Sequence, residues 1–187
     1  MSAPMIERAD VRESILSATP DIQAAAQYEW PIWARPDQLE PEGDHRYFMA
    51  CAGRGWGKTR AGTEWVRAQI ESGKSSRAII VAATAADLRD TLVEVALYSS
   101  EEPDRLRGVN ADLMLADELA AWKYPAAWDM ALFALRLGSN PRAMITTTPR
   151  PTKIIRELLK RDDCVVVRGS TYDNAANLAP QFIEEIV

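Results

Sequence analysis

The sequence predicts an α/β fold built on a mostly parallel sheet with helices on both faces. From Tyr47 onward, short apolar runs alternate with amphipathic stretches, the pattern of successive βα units. The runs are apolar at nearly every position rather than at every second one, as strands buried on both faces require. At 187 residues, with 47% hydrophobic and 26% charged side chains, the chain is long enough for one sizeable core and of ordinary globular composition.

Residues 1–45 contain Pro4, Pro20, Pro31, Pro36 and Pro41, which exclude long helices; a short one is expected over 21–28 with Asp21 as its cap. This stretch reads as an irregular lead-in to a single domain over 46–187. The run 47–52 is a strand that stops at the glycine-rich 53–57. A helix follows with Ala61, Trp65 and Ala68 inward, ended by Gly73. Residues 78–83 and 113–116 are two further interior strands, the second ending in Asp117 and Glu118. Pro125 opens a helix with Trp128, Leu132 and Leu135 on its core side, closed by Gly138. Strand 143–145 leads into three threonines and Pro149. Pro151 begins a helix that sets Ile154, Ile155, Leu158 and Leu159 against Lys153, Arg156, Glu157 and Lys160. Residues 165–167 form a last strand, and a helix starts at Pro180. Trp65 and Trp128 fall on core stripes, and of the six tryptophans only Trp56 is expected to be exposed.

Several classes are excluded. No apolar run approaches the roughly 20 residues of a membrane helix, and residues 1–10 lack the apolar core of a secretory signal. The two cysteines, Cys51 and Cys164, form neither a disulfide framework nor a zinc-site spacing. A cytoplasmic protein is expected. The net charge of −5 argues against bulk coating of nucleic acid, although charge is polarised: residues 1–50 hold four basic and nine acidic side chains, residues 142–168 seven and three. The basic segment reads as a solvated helix face, with DNA phosphates or an adjacent subunit as the alternative.

The chemistry sits between the first strand and its helix. Ala52-Gly53-Arg54-Gly55-Trp56-Gly57-Lys58-Thr59 fits the phosphate-binding loop G-x-x-x-x-G-K-[ST] except at its first position. Glycines let successive N–H groups turn toward phosphates, Lys58 reaches the β and γ phosphates, and the Thr59 hydroxyl holds Mg²⁺. The alternative is a glycine-rich turn that binds nothing. Phosphoryl transfer to water also needs a second metal anchor and a group that polarises the water. Asp117 and Glu118, at the end of a buried strand, supply those roles, against the plainer reading of an acidic turn before a helix.

At these residues the chain resembles the large terminase subunit of tailed phages and gene transfer agents, the ATPase motor of DNA packaging. The resemblance is carried by Trp33-Ala34-Arg35-Pro36-Asp37-Gln38, by Gly53 to Gly62, by Glu102 to Gly108, by Ala116-Asp117-Glu118-Leu119-Ala120-Ala121-Trp122, by Thr146-Thr147-Thr148-Pro149-Arg150-Pro151 and by Gly169-Ser170-Thr171-Tyr172-Asp173-Asn174. It spans roughly residues 30–187. It implies a P-loop NTPase of the additional-strand type that uses ATP and Mg²⁺. Arg35 and Gln38 then fall on the adenine-contacting segment, and Gly53, Arg54, Gly55, Trp56, Gly57, Lys58, Thr59 and Arg60 on the nucleotide loop, with Arg54 as its arginine. Thr59 and Asp117 fall on the metal, and Glu118 on the catalytic base. Arg107 corresponds to the arginine inserted into a neighbouring subunit's site, with Arg105 as the rival. Thr146, Thr147 and Thr148 fall on the coupling motif. The implied partners are double-stranded DNA, a portal protein, a small terminase subunit and further copies in a homo-oligomeric ring, in a bacterial host cell and without a membrane.

Two departures from the family stand out. Between the second strand and Arg107 the family carries a longer insertion with additional strand structure, whereas here 91–98 passes directly to Ser99, which puts the sheet edge and the packing under Arg107 in question. The ribonuclease-H-type nuclease domain that follows in the family has no counterpart in this sequence, so nuclease activity is not expected. The function expected is ATP hydrolysis that drives double-stranded DNA into a procapsid. The alternatives are an inactive or interaction-only remnant and a helicase-like ATPase acting on single strands.

Overall fold

A computed structural model describes residues 4–83 and 95–186. The chain divides into two compact units, Met1–Glu40 and Pro41–Val187. The first unit is more regular than an irregular lead-in. It holds α1 (Ala9–Leu16), α2 (Pro20–Ala26) and the single turn α3 (Trp30–Trp33). Helix α1 occupies the proline-free interval between Pro4 and Pro20, where nothing forbids it. Asp21 is not a cap: Thr19 takes the N-cap position, Pro20 the first helical one, and Asp21 a place in the first turn, where its charge complements the helix dipole. Two side chains satisfy helix-end carbonyls. The Gln23 amide donates to Leu16 O at 2.9 Å and Ala18 O at 3.0 Å, and the Trp33 indole donates to Ala26 O at 2.7 Å.

The second unit is a six-stranded parallel sheet of β1 (Tyr47–Ala52), β2 (Ala78–Ala82), β3 (Val95–Ser99), β4 (Leu113–Ala116), β5 (Arg142–Thr147) and β6 (Cys164–Gly169), in the order β3-β2-β4-β5-β1-β6. Strands β1, β2 and β4 are buried along their whole length because helices cover both faces, which explains their unbroken apolar sequences. Helix α4 (Lys58–Glu71) packs on β4 and β5, while α5 (Pro125–Ala134) and α6 (Lys153–Leu158) bury Trp128, Ala131, Ile155 and Leu158 in the main core cluster. A seventh helix, α7 (Pro180–Ile186), follows β6. At Gly62 a Cβ would stand 2.7 Å from the Leu115 side chain, so α4 can approach β4 this closely only with glycine there.

Four expectations change. Residues 95–99 pair with β2 in register as the edge strand β3, so the sheet edge is closed by a sixth strand; residues 91–94 lie outside the described residues. Leu106, just before Arg107, is buried in a turn that packs on α5, so the segment under Arg107 has a packing partner. On α4 the inward stripe runs through Ala61, Trp65, Val66 and Gln69, and Ala68 is exposed, because the stripe follows i, i+4, i+8. Helix α5 ends at Ala134, before Gly138, since Leu135 leaves it to bridge Ala111.

Candidate nucleotide site

Strand β1 delivers the chain into a tight loop at the carboxyl ends of the strands, where α/β sheets bind ligands. Ala52 still belongs to β1, in register with Gly169, and therefore needs none of the conformational freedom of the glycine it replaces. The turn itself uses glycine: Gly55 has φ 74° and Gly57, the N-cap of α4, has φ 95°. At Gly53 a Cβ would lie 2.6 Å from Thr171 Oγ1 and 2.8 Å from the Thr171 nitrogen. The chain after β6 thus forms a wall under the loop. It also holds the loop directly, since the Asn174 amide donates to Gly55 O at 2.6 Å and is itself oriented by Asn177 at 2.9 Å.

Trp56 corrects the expectation of exposure. Its ring is fully buried and lies where a Cβ on Gly169 would be, while Trp33 is the exposed tryptophan of the first unit. An apolar indole in the loop fills the space above β6 and fixes the loop from below, leaving only its backbone to act on a ligand.

Lys58 opens α4. Its ammonium donates to Ala52 O at 2.9 Å and Gly53 O at 3.0 Å, spanning the base of the loop. Strand β5 lies between β1 and β4, so the loop and the β4 end start about 10 Å apart. The reach of Lys58 and the bend after β4 close that gap to 3.8 Å between Lys58 Nζ and Glu118 Oε2. Glu118 has φ 49°, the only non-glycine residue with positive φ among the described residues. Such a conformation costs about 1–2 kcal/mol, and its carboxylate is held in place by what surrounds it. Glu118 Oε1 accepts from the Thr148 N–H at 2.7 Å and from the Thr148 hydroxyl.

The three threonines at the end of β5 divide their work. Thr146 and Thr147 are fully buried. The Thr146 hydroxyl donates to Asp117 Oδ1 at 2.6 Å and accepts from the Glu118 N–H at 2.9 Å, and Thr147 Oγ1 accepts from the Ala120 N–H at 3.3 Å. All three hydroxyls therefore tie the end of β5 to the segment that carries the carboxylates, and of the three threonines Thr148 alone lines the cavity.

That cavity has a volume of about 560 Å³ and opens between the loop and the ends of β4 and β5. Arg54, Gly55, Gly57, Lys58, Thr59 and Arg60 line one side; Glu118, Ala121, Thr148 and Arg150 line the other. Thr59 Oγ1 stands 3.4 Å from Asp117 Oδ1. Two oxygens at that spacing can share the coordination sphere of one Mg²⁺, an ion that keeps several waters and takes few protein ligands. No cluster of three or more His, Cys, Asp or Glu side chains suited to a metal is present among the described residues, so a cation here would depend on phosphate oxygens as well. Burial pushes the Cys51 thiol up despite the opposing charges of Arg168 and Lys58, so it is not a nucleophile at neutral pH.

The remaining expected residues lie elsewhere. Arg35 and Gln38 belong to the first unit, where Gln38 Oε1 accepts from the Arg35 N–H at 3.0 Å and the Arg35 guanidinium lies 3.3 Å from Asp37. Arg107 is absent from this cavity's lining. It is exposed, pairs with Asp104 at 2.9 Å, and borders a recess of about 160 Å³ beside Phe133 and Arg136; Arg105 is likewise exposed and pairs with Glu102 at 3.1 Å. The sequence-based assignments omitted Arg150, Gly169 and Asn174. Arg150 stood in the threonine-proline motif, and the other two in the segment from Gly169 to Asn174, but their sequence positions carry no sign of which loop they meet.

Sheet order, glycine loop and site position together define the P-loop NTPase fold. The sequence profile described as terminase large subunit, T4likevirus-type, N-terminal, matches residues 90–187, and the chain belongs to this large terminase family. The ATPase domain of the large terminase of Thermus phage P74-26 superposes with a TM-score of 0.62 at 14% identity, over 98% of this chain and 92% of that one. The large terminase of another thermophilic bacteriophage gives a TM-score of 0.62 at 14% identity over 84% of this chain, which spans 47% of that protein. The same terminase in complex with ADP gives 0.61 at 14% identity, with the same coverage. At such identities the likeness is one of fold. No curated protein sequence matches the chain.

Proposed function

We propose that this chain hydrolyses Mg²⁺-ATP and that the hydrolysis drives double-stranded DNA into a procapsid, as the motor domain of a large terminase. The observation that carries this reading is the convergence of Lys58, Thr59 and Glu118 on one cavity, with Asp117 behind Thr59, in a chain of the terminase family. The ADP complex of the thermophilic phage's terminase supports nucleotide as the ligand.

In this reading the loop N–H groups and the α4 N-terminus receive the phosphates, and Lys58 exchanges the Ala52 and Gly53 carbonyls for phosphate oxygens. Thr59 and Asp117 would hold Mg²⁺, which would supply charge neutralisation of the phosphates. Glu118 is the base: Thr148 occupies Oε1 with two donors, leaving Oε2 to accept the water proton. Arg54 and Arg60 flank the loop, Arg35 and Gln38 contact adenine, and Arg107, outside its own cavity and exposed, serves a neighbouring copy in a ring. Thr146 and Thr147 transmit strain from Glu118 to β5. Portal protein and small terminase subunit are the remaining partners.

The test is Mg²⁺-ATP binding and turnover by the purified chain, with and without duplex DNA. Lys58→Ala should lose binding and turnover, and Glu118→Ala should keep binding and lose turnover. Normal hydrolysis by Glu118→Ala would refute the assignment of the base, and absence of nucleotide binding by the unaltered chain would refute the reading as a whole.

A further inference from the structure

We propose that Arg150 contacts the terminal phosphate of the nucleotide bound in its own subunit, and that through this contact the site tells a triphosphate from a diphosphate. The proposal rests on the reading of the cavity as an ATP site and adds a residue to it.

Among the described residues four cations line the cavity: Arg54, Lys58, Arg60 and Arg150. Two are engaged within the protein, Lys58 with the carbonyls of Ala52 and Gly53 and Arg60 with Glu64 at 2.6 Å. The side chains of Arg54 and Arg150 have no hydrogen-bond or ion-pair partner among the described residues. Arg54 belongs to the loop that wraps the phosphates nearest the strand end. Arg150 enters from the opposite wall, two residues after Thr148, the anchor of Glu118. The attacked phosphate must lie beside the water that Glu118 activates, where Lys58 already stands 3.8 Å from Glu118, so of the two unengaged cations Arg150, next to Glu118's anchor, is the one placed to join Lys58 on the terminal phosphate. A guanidinium suits that task, since its fork of donors can bind two phosphate oxygens at once.

The backbone of Arg150 is prepared for this. It stands between Pro149 and Pro151, whose rings fix their own φ and restrict the residues before them, and its carbonyl accepts from the Thr152 N–H at 2.8 Å. Thr152 then caps α6, its hydroxyl accepting from the Ile155 N–H at 3.4 Å. The short segment 148–152 therefore holds Glu118 at one end and starts α6 at the other. Loss of the terminal phosphate releases the side chain between them.

The experiment compares Mg²⁺-ATP and Mg²⁺-ADP affinities of the unaltered chain, Arg150→Ala and Arg150→Lys. Arg150→Ala should weaken ATP binding by about 10- to 100-fold, the loss of a hydrogen-bonded charge, and leave ADP binding within about twofold. Arg150→Lys should recover part of the difference. Equal weakening of both nucleotides, or of neither, overturns the proposal while leaving the site as an ATP site. If the unaltered chain binds neither nucleotide, the reading of the cavity falls and the proposal with it. Mixing Arg150→Ala with Glu118→Gln separates the two possible geometries. An arginine acting in its own subunit gives no recovery of turnover in the mixture, and recovery overturns the assignment to the same subunit.

Discussion

Thr146→Val removes one hydroxyl and keeps the shape of the side chain, which isolates the bond between β5 and the carboxylates. Two hydrogen bonds go with it: the donor to Asp117 Oδ1 at 2.6 Å and the acceptor of the Glu118 N–H at 2.9 Å. A hydrogen bond to a charged group contributes about 1.5–3 kcal/mol, and an unsatisfied buried N–H costs about 1–3 kcal/mol. Asp117 and Glu118 are only partly buried, so water can replace some of what is lost, and a net loss of about 2–4 kcal/mol is expected. Thr146→Ser keeps both bonds and loses one buried methyl, a cost of about 1 kcal/mol. Urea unfolding followed by tryptophan fluorescence compares the two. Valine should be the less stable by at least about 1 kcal/mol, the difference between those sums. If Thr146→Val equals or exceeds Thr146→Ser, the buried hydroxyl is not what holds Asp117 and Glu118, and the proposed path from Glu118 to β5 fails with it.

Two other predictions concern the loop and the sheet. Gly169→Ala places a methyl in the volume of the Trp56 indole, so it should shift the near-ultraviolet circular dichroism, destabilise the chain by about 1–3 kcal/mol as overpacking does, and weaken Mg²⁺-ATP binding; an unchanged spectrum and affinity would show that the ring does not support the loop. Asp112 joins the start of β4 to the chain before β2. Burial works against its ionisation, but donors from Ser75, Ser76 and Arg77 prevail and hold its carboxyl below the usual carboxylate range. Its folded value is the lower one, so its contribution is complete above the unfolded value of about 4 and fades as pH falls through the folded value. The stability gap between the unaltered chain and Asp112→Asn should therefore be larger at pH 7 than at pH 2.5, and an equal gap at both would contradict this.

The strands beneath the site were legible because a strand buried on both faces must be apolar throughout. The runs at β1, β2 and β4 could hardly be read otherwise, and Gly-Lys-Thr at a helix start marks the loop for an equally direct steric and electrostatic reason. Strand β3 was not legible: Val95 to Tyr98 are apolar, but so short an apolar run fits a strand or a helical segment alike, and it is its register on β2 that identifies it. Trp56 was misread because a side chain in a ligand loop looks exposed until the loop has a floor. That floor, Gly169, lies far along the chain.

Local chemistry in the sequence thus determined the fold class and singled out the glycine-rich loop, Lys58, Thr59 and the acidic pair Asp117 and Glu118 as candidates, since each rests on residue type and short spacing. Tertiary structure decided which groups meet. It brought Glu118 to Thr148 and Lys58, turned Thr146 and Thr147 inward, placed Asn174 on Gly55, and left Arg150 facing the same cavity as the loop. These meetings follow from strand order and register, and both are set by packing summed over the whole sheet, which no single motif encodes.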